Sequence, residues 1–187
     1  ILITLVFKRN KPLLIILLLF ESVLIGSDMM RWQPPVFQFF ILTLVYAIKP
    51  KYFNFYLILF LSATYFYSGL NKFNLRFINF IWAKSILTDF LGVSPNIAYS
   101  KWIKAIGFLI PTLECIAGIL IMSKYRKIGF YIIIGIHVFV LLYIGPWSLN
   151  INSAVWFWNL IMILYAFAFL SQSTIDKPKF KIVEKSW

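Results

Sequence analysis

Long apolar runs alternate along the chain with short polar breaks, most of them basic, and the length of each run says what it can build. A helix needs about 20 apolar residues to cross a bilayer, with a usable range of about 17–25. Residues 52–70, 103–122 and 128–144 meet that length, and 154–171 meets it with Asn159 as its one strongly polar interior residue. Two shorter runs, 12–26 and 36–48, are flanked by residues that can extend a helix. Pro12 suits a first helical turn, where its missing N–H costs nothing. The pattern predicts an all-α integral membrane protein, a bundle of about six transmembrane helices.

One polar connection, 71–102, is long enough to carry structure of its own. Over 75–91 it mixes Phe77, Ile78, Ile81, Trp82, Leu87 and Phe90 with Arg76, Asn79, Lys84, Ser85, Thr88 and Asp89. That mixture predicts a helix lying in the outer membrane interface, with Lys and Arg reaching to headgroups. It reads either as a lid over a site between the spans or as a plain surface helix. Gly92, Pro95 and Asn96 end it.

Composition narrows the class. The chain has 187 residues, 61% hydrophobic, 20% aromatic and only 13% charged, against about 45–50% apolar and about 25% charged in soluble domains. A mean hydropathy of +0.86 excludes an ordinary cytosolic domain, a disordered tail and a secreted disulfide scaffold. The lone Cys115 allows no intramolecular disulfide and no dithiol pair.

The net charge of +12 is arranged for a membrane. Lys and Arg fall in short clusters between apolar runs, not in the continuous stripe that a nucleic-acid groove needs, so nucleic acid is excluded as a partner. With the N-terminus in the cytoplasm, the inner segments hold Lys8, Arg9 and Lys11; Lys49 and Lys51; Lys124, Arg126 and Lys127; and Lys177, Lys179, Lys181 and Lys185. The short outer loops hold Arg31 alone. The positive-inside rule then places both termini in the cytoplasm. The transmembrane domain covers 1–171, and 172–187 forms a basic cytoplasmic tail. Lys8, Arg9 and Lys11 before a short apolar run also fit a secretory signal, against which stand Glu21 inside the run and the lack of a small-x-small cleavage site.

Ionisable residues within spans are costly and mark candidate sites. Three occur: Glu21, Glu114 and His137. At a rise of about 1.5 Å per residue, each lies roughly 12–14 Å from the cytoplasmic edge. At one level they can share a buried polar cluster, a carboxylate with an imidazole being far cheaper than either alone. His137 can hand on protons, or it can simply tie two helices together. Haem ligation lacks a second histidine, and a zinc or di-iron site lacks ligands, so no metal is expected.

A second polar group gathers near the outer face, where Tyr65, Tyr67 and Ser68 lead into Asn71 and Lys72. Asp28, Arg31, Asn150, Asn152 and Asn159 accompany them, with Trp147, Trp156 and Trp158 around them. The tryptophans fit an interfacial aromatic belt. Asn159 needs a partner inside its span, most simply Lys72, Tyr67 or a loop carbonyl. The group, with Tyr67, Asn71, Lys72, Trp158 and Asn159 as candidate binding residues, suits a quinone, a lipid headgroup or an anionic substrate. Structural stitching is the competing reading.

Two stretches carry a family likeness. Ser68-Gly69-Leu70-Asn71-Lys72-Phe73 resembles the helix-ending pattern of DoxX/MauE-like membrane proteins, and Pro111-Thr112-Leu113-Glu114-Cys115-Ile116-Ala117-Gly118-Ile119-Leu120 resembles their Pro/Glu/Gly helix. The resemblance implies a four-helix core over 52–171, with 12–48 as an added helical hairpin. It also implies a small subunit of the bacterial cytoplasmic membrane, associated with redox or quinone chemistry and working beside other membrane or periplasmic proteins. Tyr65–Lys72 is similar as well to the membrane half of vitamin-K-dependent carboxylase-like (HTTM) proteins, which implies an enzyme acting on a lipid-soluble substrate.

The first reading puts Glu114 and His137 in a polar interior and Lys72 at the outer mouth, with Glu114, His137 and Lys72 the candidates for chemistry. The enzyme reading expects a cavity open to the outer leaflet, lined by Tyr67, Lys72, His137 and Asn159. A third, a non-catalytic assembly or anchoring subunit of a larger complex, expects no cavity.

Overall fold

The computed structural model describes residues 10–28 and 34–171. Lys8, Arg9, Arg31 and the basic tail 172–187, which the sidedness argument uses, lie outside the described residues. No strand occurs among the described residues. The chain divides at Leu57/Ile58 into two compact units.

The first unit contains α1 (Lys11–Ser27), α2 (Pro34–Ile48) and a short 3-10 turn, Pro50–Tyr52. Asn10 caps α1 by accepting from the Leu13 N–H at 3.2 Å, with proline in the first turn. Leu14 and Leu18 near the start of α1 bury against Ala47 near the end of α2, with Phe40 and Tyr46 packed on them. The two helices therefore form an antiparallel hairpin. At about 1.5 Å per residue, α1 spans roughly 25 Å and α2 roughly 22 Å, both short of the roughly 30 Å hydrocarbon core.

Among the described residues, four helical stretches are long and apolar enough to cross a membrane: Pro50–Asn71, Lys101–Ile121, Arg126–Ile144 and Ser153–Leu170. They contain α3 (Phe53–Asn71), within which the unit boundary falls, and α7 (Arg126–Ile144) and α8 (Ser153–Leu170). Large apolar side chains such as Tyr131, Leu142, Phe157 and Leu164 stand exposed on α7 and α8, as lipid contact requires. The side chains between helices are smaller or interlock: Ala117, Phe130, Ile133, Met162 and Ala166 are almost fully buried, and Phe130 stacks on Phe169 with ring centroids 5.6 Å apart.

The crossing expected as one helix over 103–122 is broken. It consists of α5 (Lys101–Ile106) and α6 (Leu109–Ile121), separated by a turn at Gly107 and Phe108. The indole of Trp82 fills the break, since a Cβ on Gly107 would lie 2.5 Å from its ring. The Gly107 N–H turns to the Lys104 carbonyl, and Trp82 Nε1 donates to the Ile103 carbonyl at 2.8 Å. Irregular backbone at membrane depth is tolerated when protein groups satisfy it in this way.

Between α3 and α5 runs the helix Phe77–Phe90, wound wider than an α-helix, and then the one-turn α4 (Pro95–Ala98). Asn74 caps the wide helix by accepting from the Phe77 N–H at 2.8 Å. Its buried positions are Phe77, Ile78, Ala83, Ile86 and Leu87. It ends where Leu91 N–H reaches back to the Ile86 carbonyl, and Gly92 follows at φ +69, a left-handed conformation open to glycine. On α7, Tyr143 donates to Ser85 Oγ at 2.5 Å, and Phe90 packs edge-on against Tyr143 and Phe139.

Candidate functional site

Within the second unit, α3 and α6 approach closely because both carry glycine where they meet. A Cβ on Gly69 would lie 2.6 Å from the Pro111 carbonyl oxygen, and one on Gly118 would lie 2.7 Å from the Phe66 nitrogen. Ser62 Oγ donates to the Gly118 carbonyl at 2.6 Å, and Cys115 Sγ donates to the Phe66 carbonyl at 3.4 Å. Small residues at helix contacts in membranes allow this backbone proximity.

Close approach brings two charges together. Lys72, at the end of α3, donates to Glu114 Oε1 on α6 and, at 3.2 Å, to Ser68 Oγ one turn back. The Glu114 side chain is 5% exposed and that of Lys72 33%. The second carboxylate oxygen, Oε2, is buried and has no hydrogen-bond partner. Such an acceptor costs about 1–3 kcal/mol if it stays unsatisfied.

Glu114 and Lys72 line a cavity of about 510 Å³ among α6, α7 and the wide helix. Phe77, Trp82, Ile132 and Phe139 are among its walls, and the polar groups reaching it are few. Its size falls within the roughly 300–1,000 Å³ of small-molecule sites. A neighbouring cavity of about 420 Å³ shares Lys72, Phe77 and Ile81 and adds Asn74, Arg76 and Phe80.

A second buried group links α3, α7 and α8. His137 Nδ1 lies 2.5 Å from Asn159 Oδ1, and His137 Nε2 lies 2.5 Å from the Tyr65 hydroxyl. Asn159 Nδ2 donates to the Val155 carbonyl at 2.7 Å, so its Oδ1 faces the ring as an acceptor. Nδ1 must then carry the hydrogen, which leaves Nε2 to accept from Tyr65. Trp158 meets the His137 ring edge to face at 5.9 Å between centroids. His137, Asn159 and Tyr65 are all buried, so the group ties three helices together away from water.

Hydrogen bonds sort the sequence candidates of the second unit into two groups, which remain within electrostatic reach of each other, since Glu114 and Lys72 both act on the His137 ring. Glu114 is joined to Lys72, drawing together the expected interior acid and the expected outer-mouth lysine, while both ring nitrogens of His137 are taken by Tyr65 and Asn159. Asn159 finds His137 and Val155 instead of Lys72 or Tyr67, because its side chain points along α8 into the three-helix junction. Glu21 is half-buried on α1, in the first unit. Tyr67 is exposed on α3, and Asn71 is exposed at the end of α3 with its carbonyl accepting from Asn74. Of the four residues expected around a catalytic cavity, Lys72 lines the one beside Glu114, and Tyr67, His137 and Asn159 do not. Among the described residues no cluster of three or more His, Cys, Asp or Glu could hold a metal ion.

Sequence reasoning did not join Tyr65 to His137 or Ser68 to Lys72. Helical spacing held the signal, since Tyr65, Ser68, Gly69 and Lys72 recur at three to four residues on one face of α3. Trp156, grouped with the aromatic belt, donates to the Ile144 carbonyl at 3.0 Å and so closes the end of α7. Compared with known proteins, the chain matches no family model, no curated sequence and no solved structure.

Proposed function

We propose that the chain is a small multi-pass subunit of the bacterial cytoplasmic membrane that holds a lipid-soluble redox molecule, an isoprenoid quinone, inside its helical bundle. One observation carries this reading: a buried Lys72–Glu114 pair with an unsatisfied carboxylate oxygen lines an otherwise apolar cavity. A hydrophobic ligand with a small polar head suits such walls, and Trp82, Phe77 and Phe139 offer rings against which a flat head can pack.

In this reading the chain crosses the bilayer six times with both termini in the cytoplasm, the bilayer thinning locally around the short helices α1 and α2, and that hairpin precedes a DoxX/MauE-like four-helix core. The helix Phe77–Phe90 lies along the outer interface and covers the cavity. Lys72 and Glu114 hold the head of the ligand, and His137, Tyr65 and Asn159 keep α3, α7 and α8 in register behind it. The electrons come from a partner membrane or periplasmic subunit.

The test is extraction. Chain purified in mild detergent is stripped with organic solvent, and the extract is analysed for quinones and phospholipids alongside any co-purifying proteins. Near-stoichiometric quinone in the wild type, lost from Glu114→Ala, is the expected result. Quinone no more abundant than in an unrelated membrane protein purified the same way overturns the proposal.

A further inference from the structure

The hydrogen-bonding state of the Lys72–Glu114 pair restricts which head group the cavity takes. Glu114 is 4% exposed, its Oε1 is occupied by Lys72, and its Oε2 is buried without a partner. The pair is close to neutral as a unit, so the cavity offers no net charge to an ionic ligand. Among the described residues, the one buried side-chain polar atom left open is this acceptor. Lys72 has two of its three N–H bonds directed at Ser68 and Glu114, which leaves one to donate. Of the other walls of the cavity, Ile110, Leu113, Ile132 and Ile136 supply neither donor nor acceptor from their side chains.

We infer that the cavity selects a neutral apolar molecule bearing a hydroxyl group, whose O–H donates to Glu114 Oε2 while its oxygen accepts from Lys72. This rests on the reading that the cavity holds a lipid-soluble ligand and adds the identity of the recognised group. A head with only a carbonyl or ether oxygen satisfies Lys72 and leaves Oε2 orphaned. An anionic head sets a second negative charge beside the carboxylate. Aliphatic lipid alcohols and phenols share the required chemistry, and of an isoprenoid quinone couple it is the reduced quinol, a phenol, that supplies the O–H.

The test uses the whole chain in detergent and ligands matched in their tails. Farnesol, farnesal and farnesyl phosphate differ only in the head, and 4-nonylphenol and 4-nonylanisole differ only in the O–H. Affinities are read from ligand-dependent shifts in melting temperature. Farnesol binding about tenfold more tightly than farnesal, or 4-nonylphenol than its methyl ether, is the expected result. Discrimination within the farnesyl pair alone marks a lipid alcohol, and within the phenyl pair alone a phenol.

Glu114→Gln exchanges the free acceptor for an N–H donor and should reverse the preference toward farnesal. Equal affinity within both pairs in the wild type overturns selection of a hydroxyl and leaves the lipid-soluble reading standing. Tightest binding by farnesyl phosphate overturns the inference as well. Binding of none of the five compounds overturns the inference and the reading beneath it.

Discussion

Lys72 and Glu114 are bound to each other but are unequally sheltered: a third of the lysine side chain remains exposed, whereas the glutamate is almost fully enclosed. The pair is therefore asymmetric in what each partner risks. Loss of Lys72 strands a carboxylate where water does not reach. Loss of Glu114 frees an ammonium that can turn outward.

That asymmetry makes a prediction. Lys72→Met should destabilise the detergent-solubilised chain by about 3 kcal/mol, the scale of an uncompensated buried charge. Glu114→Leu should cost about 1 kcal/mol, near the value of a partly exposed pair. SDS or thermal unfolding measures both, and an equal or reversed order contradicts the described geometry.

His137 and Asn159 support a second prediction, which exploits the chain's single histidine. In protein labelled with 15N-histidine, the two ring nitrogens report the tautomer directly. The hydrogen-bond pattern requires Nδ1–H, with Nε2 bare and accepting from Tyr65. Asn159→Leu should release that constraint and shift the population toward Nε2–H. It should also lower the cost of Tyr65→Phe, expected at about 1 kcal/mol in the parent. An Nε2–H tautomer in the unmodified protein contradicts the assignment.

Glycines differ in what they permit. A Cβ added at Gly118 would meet the backbone of α3 at 2.7 Å, whereas one at Gly135 would meet nothing within 4 Å. Gly118→Val should force α3 and α6 apart and cost about 1–3 kcal/mol, the range for overpacking. Gly135→Ala should lie within about 0.5 kcal/mol of the parent. Similar melting temperatures for the two variants would show that α3 and α6 do not cross this closely.

The larger features of the fold were legible because lipid imposes a length. Runs of sufficient length marked 52–70, 128–144 and 154–171, which correspond to α3, α7 and α8 within a few residues at each end. The break at Gly107 was hidden inside a continuous apolar run, since the group that stabilises it, the Trp82 indole, comes from a distant segment. The wide winding of Phe77–Phe90 escaped because the mixture of polar and apolar residues marks a helix without its pitch: the buried Ala83, Ile86 and Leu87 keep the i, i+3, i+4 spacing of an ordinary α-helical face.

At the site, depth along a helix was easier to read than partner. Glu114 and His137 were visible as costly groups, but rise per residue places a side chain at a level without giving its rotation about the helix axis. The stripe Tyr65, Ser68, Lys72 on α3 and the stripe Pro111, Glu114, Gly118 on α6 hold that missing rotation. Which stripe faces which helix depends on the close approach at Gly69 and Gly118. No local pattern contains that information.

Native mass spectrometry of the detergent-purified chain tests most directly whether the cavity beside Glu114 holds a small apolar molecule. Gly135 lines that cavity and has open space where a side chain would begin, so Gly135→Trp should fill it without displacing backbone. The account predicts a wild-type population carrying one bound molecule of a few hundred daltons, on the scale of ligands for cavities of this size. It predicts that Gly135→Trp loses that mass while keeping its melting temperature in ligand-free detergent. An unliganded wild type, or a bound mass that persists unchanged in a well-folded Gly135→Trp, would contradict it.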